Sequence, residues 1–390
     1  MELYTIPIED DSPGEKLILY RPLLGLACVG NRAMADLAQR LAEGAAPDSL
    51  GEAGQPAAAF LEELGFLQPD PPPPPECAGF RPTTAVLMLT NRCQLRCVYC
   101  YAAAGEQPEK GLSFESGKAV IDVVFDYAHK NSLPHFEVYF HGGGEPTYHW
   151  DVLQRLVEYA RALPLPAHLS LTSNAMWSPA QLDWIAAHMD GLGISMDGMP
   201  ETQNKQRPVK SGQHSSPVVM SNLAELDRRG VQYGIRITAL PPFTSLPEDV
   251  RFICESMACN QVIQVEPAYN DMRGAISHPG QDQAAQFTQA FMEAYDIAAA
   301  HGRSLYYSGA RPDALTSRFC NAPYEALIVT PDDRIVACYE VVGAQHPLAE
   351  LSSMGRMQGE RLVMEPEKRA QLQSLLDARR AACRACFAYW

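Results

Sequence analysis

Short apolar runs alternate with helix-periodic stretches along residues 83–270, and this alternation is the main structural signal of the chain. Apolar residues in runs or at alternate positions predict strands at 84–90, 136–141, 168–173, 191–196, 232–239 and 261–266. Between them, apolar residues at intervals of three or four predict helices near 113–130, 151–162, 179–189, 217–229 and 247–258. Six such repeats are typical of an α/β protein in which a parallel sheet forms a partial (β/α)6 barrel of the TIM type. Functional residues are then expected at the carboxyl ends of the strands.

The chain before the barrel has a different pattern. Strands are predicted at 16–20 and 24–29, a helix follows Asn31, which is a good helix cap, and a second helix is predicted at 57–67. Residues 69–75 are almost all proline, which lacks an amide donor, so this segment predicts a stiff, extended spacer. We therefore expect a small α+β domain at 1–68, a linker at 69–82 and the barrel at 83–305.

Residues 306–390 are expected to form a third, cysteine-rich domain. After a helix near 283–300, apolar runs at 326–329 and 335–338 flank a polar turn and predict a β-hairpin. Cys320 precedes this hairpin, Cys338 ends it, and Cys383 and Cys386 lie in a C-x2-C pair near the last residue. Four thiolates can close one 4Fe-4S site, and tetrahedral zinc is the alternative. The final pair either completes a compact one-cluster ending or begins a site for a second cluster.

Charge and composition narrow the possible partners and the compartment. The 390 residues include 31 Lys and Arg against 46 Asp and Glu, and the net charge of −15 argues against nucleic acid as the main partner. The first residues have no signal-peptide pattern and no segment has membrane-spanning length, so a cytoplasmic protein is expected. Its eleven cysteines are then expected to be reduced. The four outside the two spaced groups are expected to be buried apolar side chains: Cys28, Cys77, Cys254 and Cys259.

Three cysteines directly follow the first predicted barrel strand. Cys93, Cys97 and Cys100 have the spacing C-x3-C-x2-C. Three thiolates are one ligand short of closing a 4Fe-4S cluster, so one iron would remain open to another ligand. A zinc knuckle is the alternative. The loop resembles that of the radical S-adenosylmethionine (radical SAM) enzymes, and the resemblance implies a 4Fe-4S cluster, bound S-adenosylmethionine (SAM) and a cofactor contact by Tyr99.

Two further strand ends resemble motifs of the same family. Gly143, Gly144 and Glu145 stand before Pro146 in a Gly-Gly-Glu-Pro motif, which implies binding of the methionine amino group of SAM. At the fourth strand end, Ser195 begins a Ser-x-Asp-Gly motif and is followed twelve positions later by Arg207. In the peptide- and sulfatase-modifying branch, this pair implies contacts with the ribose or carboxylate of SAM.

Two other strand ends carry polar candidates. Asn174 follows the third strand and is expected to face the cofactor, with a solvated turn as the alternative. Glu266 ends the sixth strand and is a candidate acid, base or substrate anchor, although a salt-bridged structural carboxylate is the more ordinary interpretation of such a residue.

The two outer domains resemble accessory domains of radical SAM enzymes. Residues 15–68 resemble the winged-helix, PqqD-like element that binds the leader of a ribosomally made precursor peptide by adding a strand to a sheet edge. A structural cap on the barrel is the alternative. The hairpin and its cysteines resemble the auxiliary-cluster extension known as Twitch in its short form and SPASM in its longer form. This implies an auxiliary 4Fe-4S cluster on Cys320, Cys338, Cys383 and Cys386.

Together these resemblances imply a maturase that uses a 5′-deoxyadenosyl radical to take hydrogen from a precursor peptide. A thioether or carbon–carbon crosslink is the expected product. The expected partners are that peptide and a reductant protein such as flavodoxin or ferredoxin, with no nucleic acid and no membrane. One alternative is a sulfatase-maturating enzyme that forms formylglycine. The other is a non-enzymatic iron–sulfur or zinc protein.

Overall fold

The computed structural model describes residues 1–8, 16–45, 51–74, 79–275, 278–311, 314–316 and 318–390. The chain divides into two compact units. The first comprises Met1–Ala78, Pro312–Cys320 and Gln373–Trp390, and the second comprises Gly79–Arg311 and Asn321–Leu372. Residues 306–390, which the sequence suggests as a domain of their own, are thus shared between the two units.

A three-stranded antiparallel sheet and two helices form most of the first unit. The strands are β1 (Tyr4–Ile8), β2 (Lys16–Arg21) and β3 (Leu26–Gly30), and β2 lies in the centre. The helices are α1 (Arg32–Ala42) and α2 (Gly51–Glu63). Asn31 caps α1 as predicted, because its side chain accepts a hydrogen bond from the Met34 amide at 3.0 Å. The sequence did not indicate β1, which is short and contains Pro7, a residue that an edge strand tolerates.

A buried arginine fixes the end of the first unit at the start of the polyproline segment. Arg21 is fully buried on β2 and donates hydrogen bonds to the carbonyl oxygens of Phe66 and of Gln68. The same guanidinium pairs with Asp70 at 2.5 Å. Leu17 and Leu61 are among the fully buried side chains that form the small core beside it. The first residues of the predicted spacer are therefore held against the N-terminal sheet.

One sheet of eleven strands forms the centre of the second unit. In spatial order it runs β10, β9, β8, β7, β6, β5, β4, β11, β12, β13, β14. The bounds are β4 (Thr84–Leu87), β5 (Phe136–Phe140), β6 (Ala167–Ser173), β7 (Gly191–Ser195), β8 (Tyr233–Ala239), β9 (Asn260–Pro267), β10 (Ser304–Tyr306), β11 (Ala326–Val329), β12 (Arg334–Val336), β13 (Ser353–Gln358) and β14 (Arg361–Met364). All six predicted barrel strands are present and parallel.

Two short strands lengthen the parallel part of this sheet beyond the six predicted. β10 pairs with β9 on one side, and β11 pairs in parallel with β4 on the other. The predicted hairpin exists as β11 and β12, but it continues the sheet of the barrel. Its turn places Asp333 in the left-handed region, at a φ of 63°. A strand of three or four residues has too short a sequence pattern to show which other strand it pairs with.

The described part of the second unit contains the helices predicted between the barrel strands and near 283–300. With the further helices of this part of the chain, they are α3 (Phe114–Lys130), α4 (Trp150–Ala162), α5 (Pro179–His188), α6 (Pro200–Gln206), α7 (Ser216–Arg229), α8 (Leu246–Ser256), α9 (Gln281–Ala300), α10 (Ala322–Glu325), α11 (Ala349–Ser352) and α12 (Pro366–Ala382). The sequence did not indicate α6, α10, α11 and α12 among them. Ser178 and Gln181 form a capping box at the start of α5, and Gly230 ends α7 in a left-handed conformation. No helix in the described ranges is long and apolar enough to cross a bilayer.

A cavity of about 410 Å³ shows that the sheet is curved. Residues of all seven strands from β10 to β4 line this one cavity, including Thr84 at one end and Tyr306 at the other. In a flat sheet, six spacings of about 4.8 Å would separate those strands by about 29 Å. The sheet must therefore wrap around the cavity as a partial barrel, while its other face packs on the helices through the main hydrophobic core.

The isolated cysteines are less buried than predicted. Cys254 is buried, which confirms its prediction, but Cys28 and Cys259 are only half-buried. Cys28 belongs to edge strand β3, and Cys259 follows α8, and both positions leave part of the side chain accessible. Cys77 lies outside the described residues.

Candidate functional site

The three-cysteine loop is fixed by the segment that follows α6. The amide of Arg96 donates to the Pro208 carbonyl at 2.8 Å, and the amide of Val98 donates to the Gln206 carbonyl at 2.9 Å. In return, the amide of Lys210 donates to the Gln94 carbonyl at 2.8 Å. These bonds join the end of β4 to the segment that contains Arg207, although the two are far apart along the chain.

A second segment, between β9 and α9, holds the other side of the loop. Arg273 donates to the backbone carbonyls of Cys97 and of Ala104 and forms an ion pair with Glu106. The amide of Gly274 donates to the Cys100 carbonyl at 2.9 Å. No sequence pattern indicated a role for Arg273, because most of its partners are backbone atoms that only the fold brings near.

The Gly-rich turn after β5 lies directly against the cysteine loop. The amide of Glu145 donates to the Arg92 carbonyl at 2.8 Å. A Cβ atom on Gly144 would overlap that same carbonyl group, and one on Gly143 would come within 2.8 Å of the Thr90 carbonyl oxygen. Gly143 also has a φ of 72°, which favours glycine. The turn therefore needs glycine because two backbones approach each other here.

Glu145 is a fully enclosed carboxylate with several hydrogen-bond donors. It accepts hydrogen bonds from the Ser173 hydroxyl at 2.7 Å, the Thr147 hydroxyl at 2.8 Å and the Asn174 amide at 2.9 Å. Burial raises the pKa of Glu145 above its ordinary value, although these hydrogen bonds partly oppose the shift. Its charge is thus balanced by neutral donors from the ends of β5 and β6.

Asn174 connects this carboxylate with the first cysteine. Its side-chain nitrogen lies 3.6 Å from Cys93 Sγ and 3.4 Å from the side-chain oxygen of Gln94. Cys93 Sγ also accepts a hydrogen bond from the Leu95 amide at 3.4 Å. Asn174 is buried, so the structure does not support a solvated turn at this position.

Asp197, Tyr99 and Arg207 form a second buried group on the other side of the loop. Arg207 pairs with Asp197 at 2.9 Å, and the Tyr99 hydroxyl donates to Asp197 at 2.6 Å. Asp197 also accepts from the Thr238 amide at 3.0 Å, and Arg207 lies over the Tyr99 ring. Burial lowers the pKa of Arg207, but the attraction of Asp197 and Tyr99 outweighs it, so the pKa stays well above its ordinary value. The sequence analysis included Asp197 as part of the Ser-x-Asp-Gly motif, but it did not predict that this carboxylate would be the common partner of Tyr99 and Arg207.

The remaining barrel candidates occupy neighbouring strand ends. Ser195 is the last residue of β7 and stands opposite Arg236 of β8 in the sheet register. Glu266, on β9, accepts hydrogen bonds from Ser308 Oγ at 2.8 Å and from Gln264 at 2.6 Å. Within the described ranges it forms no ion pair, so the salt-bridged interpretation of Glu266 does not hold.

The four cysteines proposed for an auxiliary cluster fall in different units. Cys338 belongs to the second unit, whereas Cys320, Cys383 and Cys386 belong to the first. The amide of Cys386 donates to the Cys383 carbonyl at 2.9 Å, so these two lie in one turn after α12. Their common role as cluster ligands remains a prediction.

The cysteine loop fits a 4Fe-4S cluster by its surroundings. Burial raises the pKa of Cys93 to about 12 and that of Cys97 to about 11, so iron must displace thiol protons on binding. The donors near Cys93 Sγ suit a thiolate, and Arg207 Nε is buried beside this loop without a hydrogen-bond partner among the residues that the structure describes. No three Cys, His, Asp or Glu side chains of the described chain converge on a single metal ion. In a four-iron cluster, by contrast, each thiolate binds an iron of its own.

Comparison with known proteins agrees with this geometry. The model of the Radical SAM superfamily matches residues 87–253, which include the three-cysteine loop, the Gly-rich turn and the Asp197–Arg207 pair. This part of the chain is therefore a radical SAM domain, a class that implies a 4Fe-4S cluster and SAM.

The curated relatives match only part of the chain. Fe-coproporphyrin III synthase of Methanosarcina barkeri (strain Fusaro / DSM 804) is 31% identical over 151 residues, which are 38% of this chain and 35% of the relative. An uncharacterized protein of Methanocaldococcus jannaschii is 30% identical over 74 residues, 19% of this chain and 23% of the relative. The chain thus spans about a third or less of the length of these relatives.

Solved structures share the fold over more of the chain. Native anSMEcpe with bound AdoMet has a TM-score of 0.58 at 16% identity, over 78% of this chain and 87% of that one. Streptococcus suis SuiB bound to S-adenosylmethionine has a TM-score of 0.52 at 15% identity, over 88% of this chain and 75% of that one. At these identities the similarity shows the fold alone.

Proposed function

We propose that this protein is a radical SAM maturase that takes a hydrogen atom from a ribosomally made precursor peptide and leaves a covalent modification on it. Cys93, Cys97 and Cys100 would hold the 4Fe-4S cluster. The Gly-rich turn with Glu145 and Asn174 would bind the methionine part of SAM on one side of the loop. With both groups bound, the cofactor supplies the 5′-deoxyadenosyl radical.

One observation carries the radical SAM part of this proposal. Two buried polar groups, one centred on Glu145 and the other on Asp197, contact the cysteine loop at different positions. A SAM molecule has an ammonium group, a carboxylate and a ribose, and these need an acceptor and donors at separate points. Tyr99, Ser195 and Arg207 would serve the ribose or the carboxylate, and Arg207 Nε has no hydrogen-bond partner in the described part of the chain, so it is open to such a contact.

Two observations support a peptide substrate. The fold similarity to SuiB covers 88% of this chain, more than the second unit alone contains, and SuiB has also been solved bound to precursor peptide SuiA. In the first unit, β1 and β3 are edge strands, and the outer edge of β3 includes Val29, which is 62% exposed. A leader peptide could pair with such an edge through main-chain hydrogen bonds.

The proposal also includes an auxiliary 4Fe-4S cluster and a reductant protein such as flavodoxin or ferredoxin. Cys320, Cys338, Cys383 and Cys386 would ligate the auxiliary cluster. Glu266 remains a candidate acid, base or substrate contact, since it is held by neutral hydrogen-bond donors and no cation neutralises it among the described residues.

The test is anaerobic co-expression with a candidate precursor peptide encoded in a neighbouring reading frame. Loss of two hydrogen atoms from the peptide, localised by fragmentation to one residue pair, would support crosslink formation. Cys97→Ala, which removes a cluster ligand, should abolish the mass change, and Cys254→Ala, at a buried cysteine far along the chain from both cysteine groups, should not. An unmodified peptide together with active SAM cleavage would refute this substrate, and absence of 5′-deoxyadenosine under reducing conditions would refute the enzyme.

Formylglycine formation is the second candidate function. It is favoured by the fold similarity to anSMEcpe, which has also been solved with bound AdoMet and Cp18Cys peptide at a TM-score of 0.55. A leaderless cysteine peptide distinguishes the two functions. Its conversion to an aldehyde that reacts with a hydrazide would support formylglycine formation, whereas a strict need for the leader would support the maturase.

A further inference from the structure

The interior of the partial barrel carries a cationic side chain that the cofactor site does not use. Arg236 lies at the middle of β8 and lines the cavity of about 410 Å³. Its guanidinium makes no hydrogen bond or ion pair with the residues that the structure describes. A guanidinium offers five N–H donors, so a half-buried guanidinium without partners among the described residues is ready to bind an anion.

The polar neighbours of Arg236 are already paired with each other. The Tyr139 hydroxyl is 2.5 Å from the Thr172 hydroxyl on the adjacent strand. The Tyr306 hydroxyl donates to the Gln264 side-chain oxygen at 2.9 Å, and the Gln264 nitrogen donates to Glu266. These pairs satisfy the tyrosines and the glutamine, so the arginine supplies the donors that remain for a ligand.

A buried histidine lies near the same guanidinium. His141, at the end of β5, stacks on Tyr139 with ring centroids 4.9 Å apart, and its Nδ1 is buried without a hydrogen-bond partner among the described residues. Burial, and after it repulsion from Arg236, lowers the pKa of His141 to about 3, so the imidazole is neutral at physiological pH. Arg236 therefore provides the positive charge, and His141 provides one more unpaired polar atom.

The negative net charge of the whole chain limits the places where an anion can bind. With a net charge of −15, the protein repels acidic ligands at long range, so an anion would bind only where cationic donors are concentrated locally. Arg236 stands beside Ser195 on one side and Gln264 on the other in the sheet register, which places it at mid-strand on a wall of the cavity. A cavity of this size admits one or two amino-acid side chains but no folded domain.

We propose that Arg236 binds a carboxylate of the substrate inside the barrel, so that the modified segment carries an acidic residue or a free C-terminus. This inference rests on the proposed function, because it assumes that a peptide segment enters the barrel. The guanidinium would form a bidentate, charge-assisted contact with the carboxylate. This contact would fix the orientation of the neighbouring residues of the substrate. A lysine could replace the charge but not this planar geometry.

The test measures binding of small probes to the full chain with its clusters reconstituted and SAM bound, without reductant. N-acetyl-glutamate amide carries a side-chain carboxylate, N-acetyl-alanine a terminal one, and N-acetyl-glutamine amide is the neutral control. Ligand-observed NMR titration should show at least one acid binding about tenfold more tightly than the neutral amide, and the better acid identifies the source of the carboxylate. Arg236→Gln should remove this preference and Arg236→Lys should retain part of it, whereas Arg251→Gln, at an exposed helix position, should leave it unchanged.

Three results would overturn the inference. Equal affinity of the acids and the amide in the wild type would show that no carboxylate site exists. Binding of acid only after Glu266→Gln would show that Glu266 neutralises Arg236 in solution. A weaker affinity for SAM in Arg236→Gln, with acid binding unchanged, would assign the arginine to the cofactor. The yield of 5′-deoxyadenosine tests the proposed function separately, because it is measured without any probe.

Discussion

Asp197 and Arg207 form an ion pair of 2.9 Å in which both side chains are almost completely buried. The pair lies under the cysteine loop, and Tyr99 of that loop donates to the same carboxylate. A buried charge left without its partner is costly. The pair therefore links the stability of the barrel to the position of the loop that would hold the cluster.

Asp197→Asn should destabilise the protein by about 3 kcal/mol, because it leaves the Arg207 charge buried and uncompensated. Urea denaturation followed by tryptophan fluorescence measures this change. Asp183→Asn is the matched control, since Asp183 also pairs with an arginine but is 61% exposed, and it should cost less than about 1 kcal/mol. Equal effects of the two substitutions would contradict the structural role given to the buried pair.

Gly144→Ala should displace the cysteine loop, because the added Cβ would overlap the Arg92 carbonyl group. We expect a loss of about 1–3 kcal/mol in stability and a lower iron content after anaerobic reconstitution. Gly343→Ala serves as the control, since nothing in the described chain lies within 4 Å of a Cβ at that position. Full iron content in Gly144→Ala would mean that the loop does not depend on this close approach.

Asn174→Ala should lower the reduction potential of the bound cluster. The side-chain N–H near Cys93 Sγ would stabilise the more negative, reduced cluster, and its removal withdraws that stabilisation. One hydrogen bond of about 1 kcal/mol corresponds to roughly 40 mV for a one-electron couple. A redox titration followed by EPR measures the shift, and Asn131→Ala, at the exposed end of α3, should cause none.

Asp249 should make stability depend on pH between about pH 4 and 6. Burial, opposed by hydrogen bonds from Met199 and its other neighbours, raises the pKa of Asp249 to about 6. In this window the folded protein keeps a proton that the unfolded chain has released, so stability falls as pH rises through it. The cost above about pH 6 is about 3 kcal/mol.

Asp249→Asn tests this dependence, because asparagine keeps an oxygen that can accept from the Met199 amide, now at 2.8 Å, and removes the charge. Relative to the wild type, its denaturation midpoint should rise as pH increases from about 4 to about 7, with little difference near the lower end. Asp296→Asn on the exposed side of α9 should show no such trend. A constant difference between variant and wild type at every pH would contradict the assigned pKa.

The sequence predicted the barrel strands well because apolar residues recur in runs or at alternate positions between turn residues, as Leu169 and Leu171 do in 168–173 and Ile235 and Ile237 do in 232–239. It missed β1, β10, β13, β14, α6, α10, α11 and α12, and it placed α2 at 57–67, whereas the helix runs over Gly51–Glu63. Apart from α12, which has 17 residues, these errors share a cause. Short or proline-containing segments take their conformation from neighbours that are distant in sequence, and a local pattern does not contain that information.

By itself, the sequence determined the alternating α/β architecture and the residue types of the site: three closely spaced cysteines, a Gly-Gly-Glu turn and a Ser-x-Asp-Gly strand end. These features are local, because each is recognised from a few residues that are close together along the chain. Only the tertiary structure decided which groups meet: Asp197 with Tyr99 and Arg207, Asn174 with Glu145 and Cys93, and Arg273 with the cysteine loop. It also left Arg236 without a partner among the described residues of the barrel interior, because pairing depends on three-dimensional proximity, which the order of residues does not display.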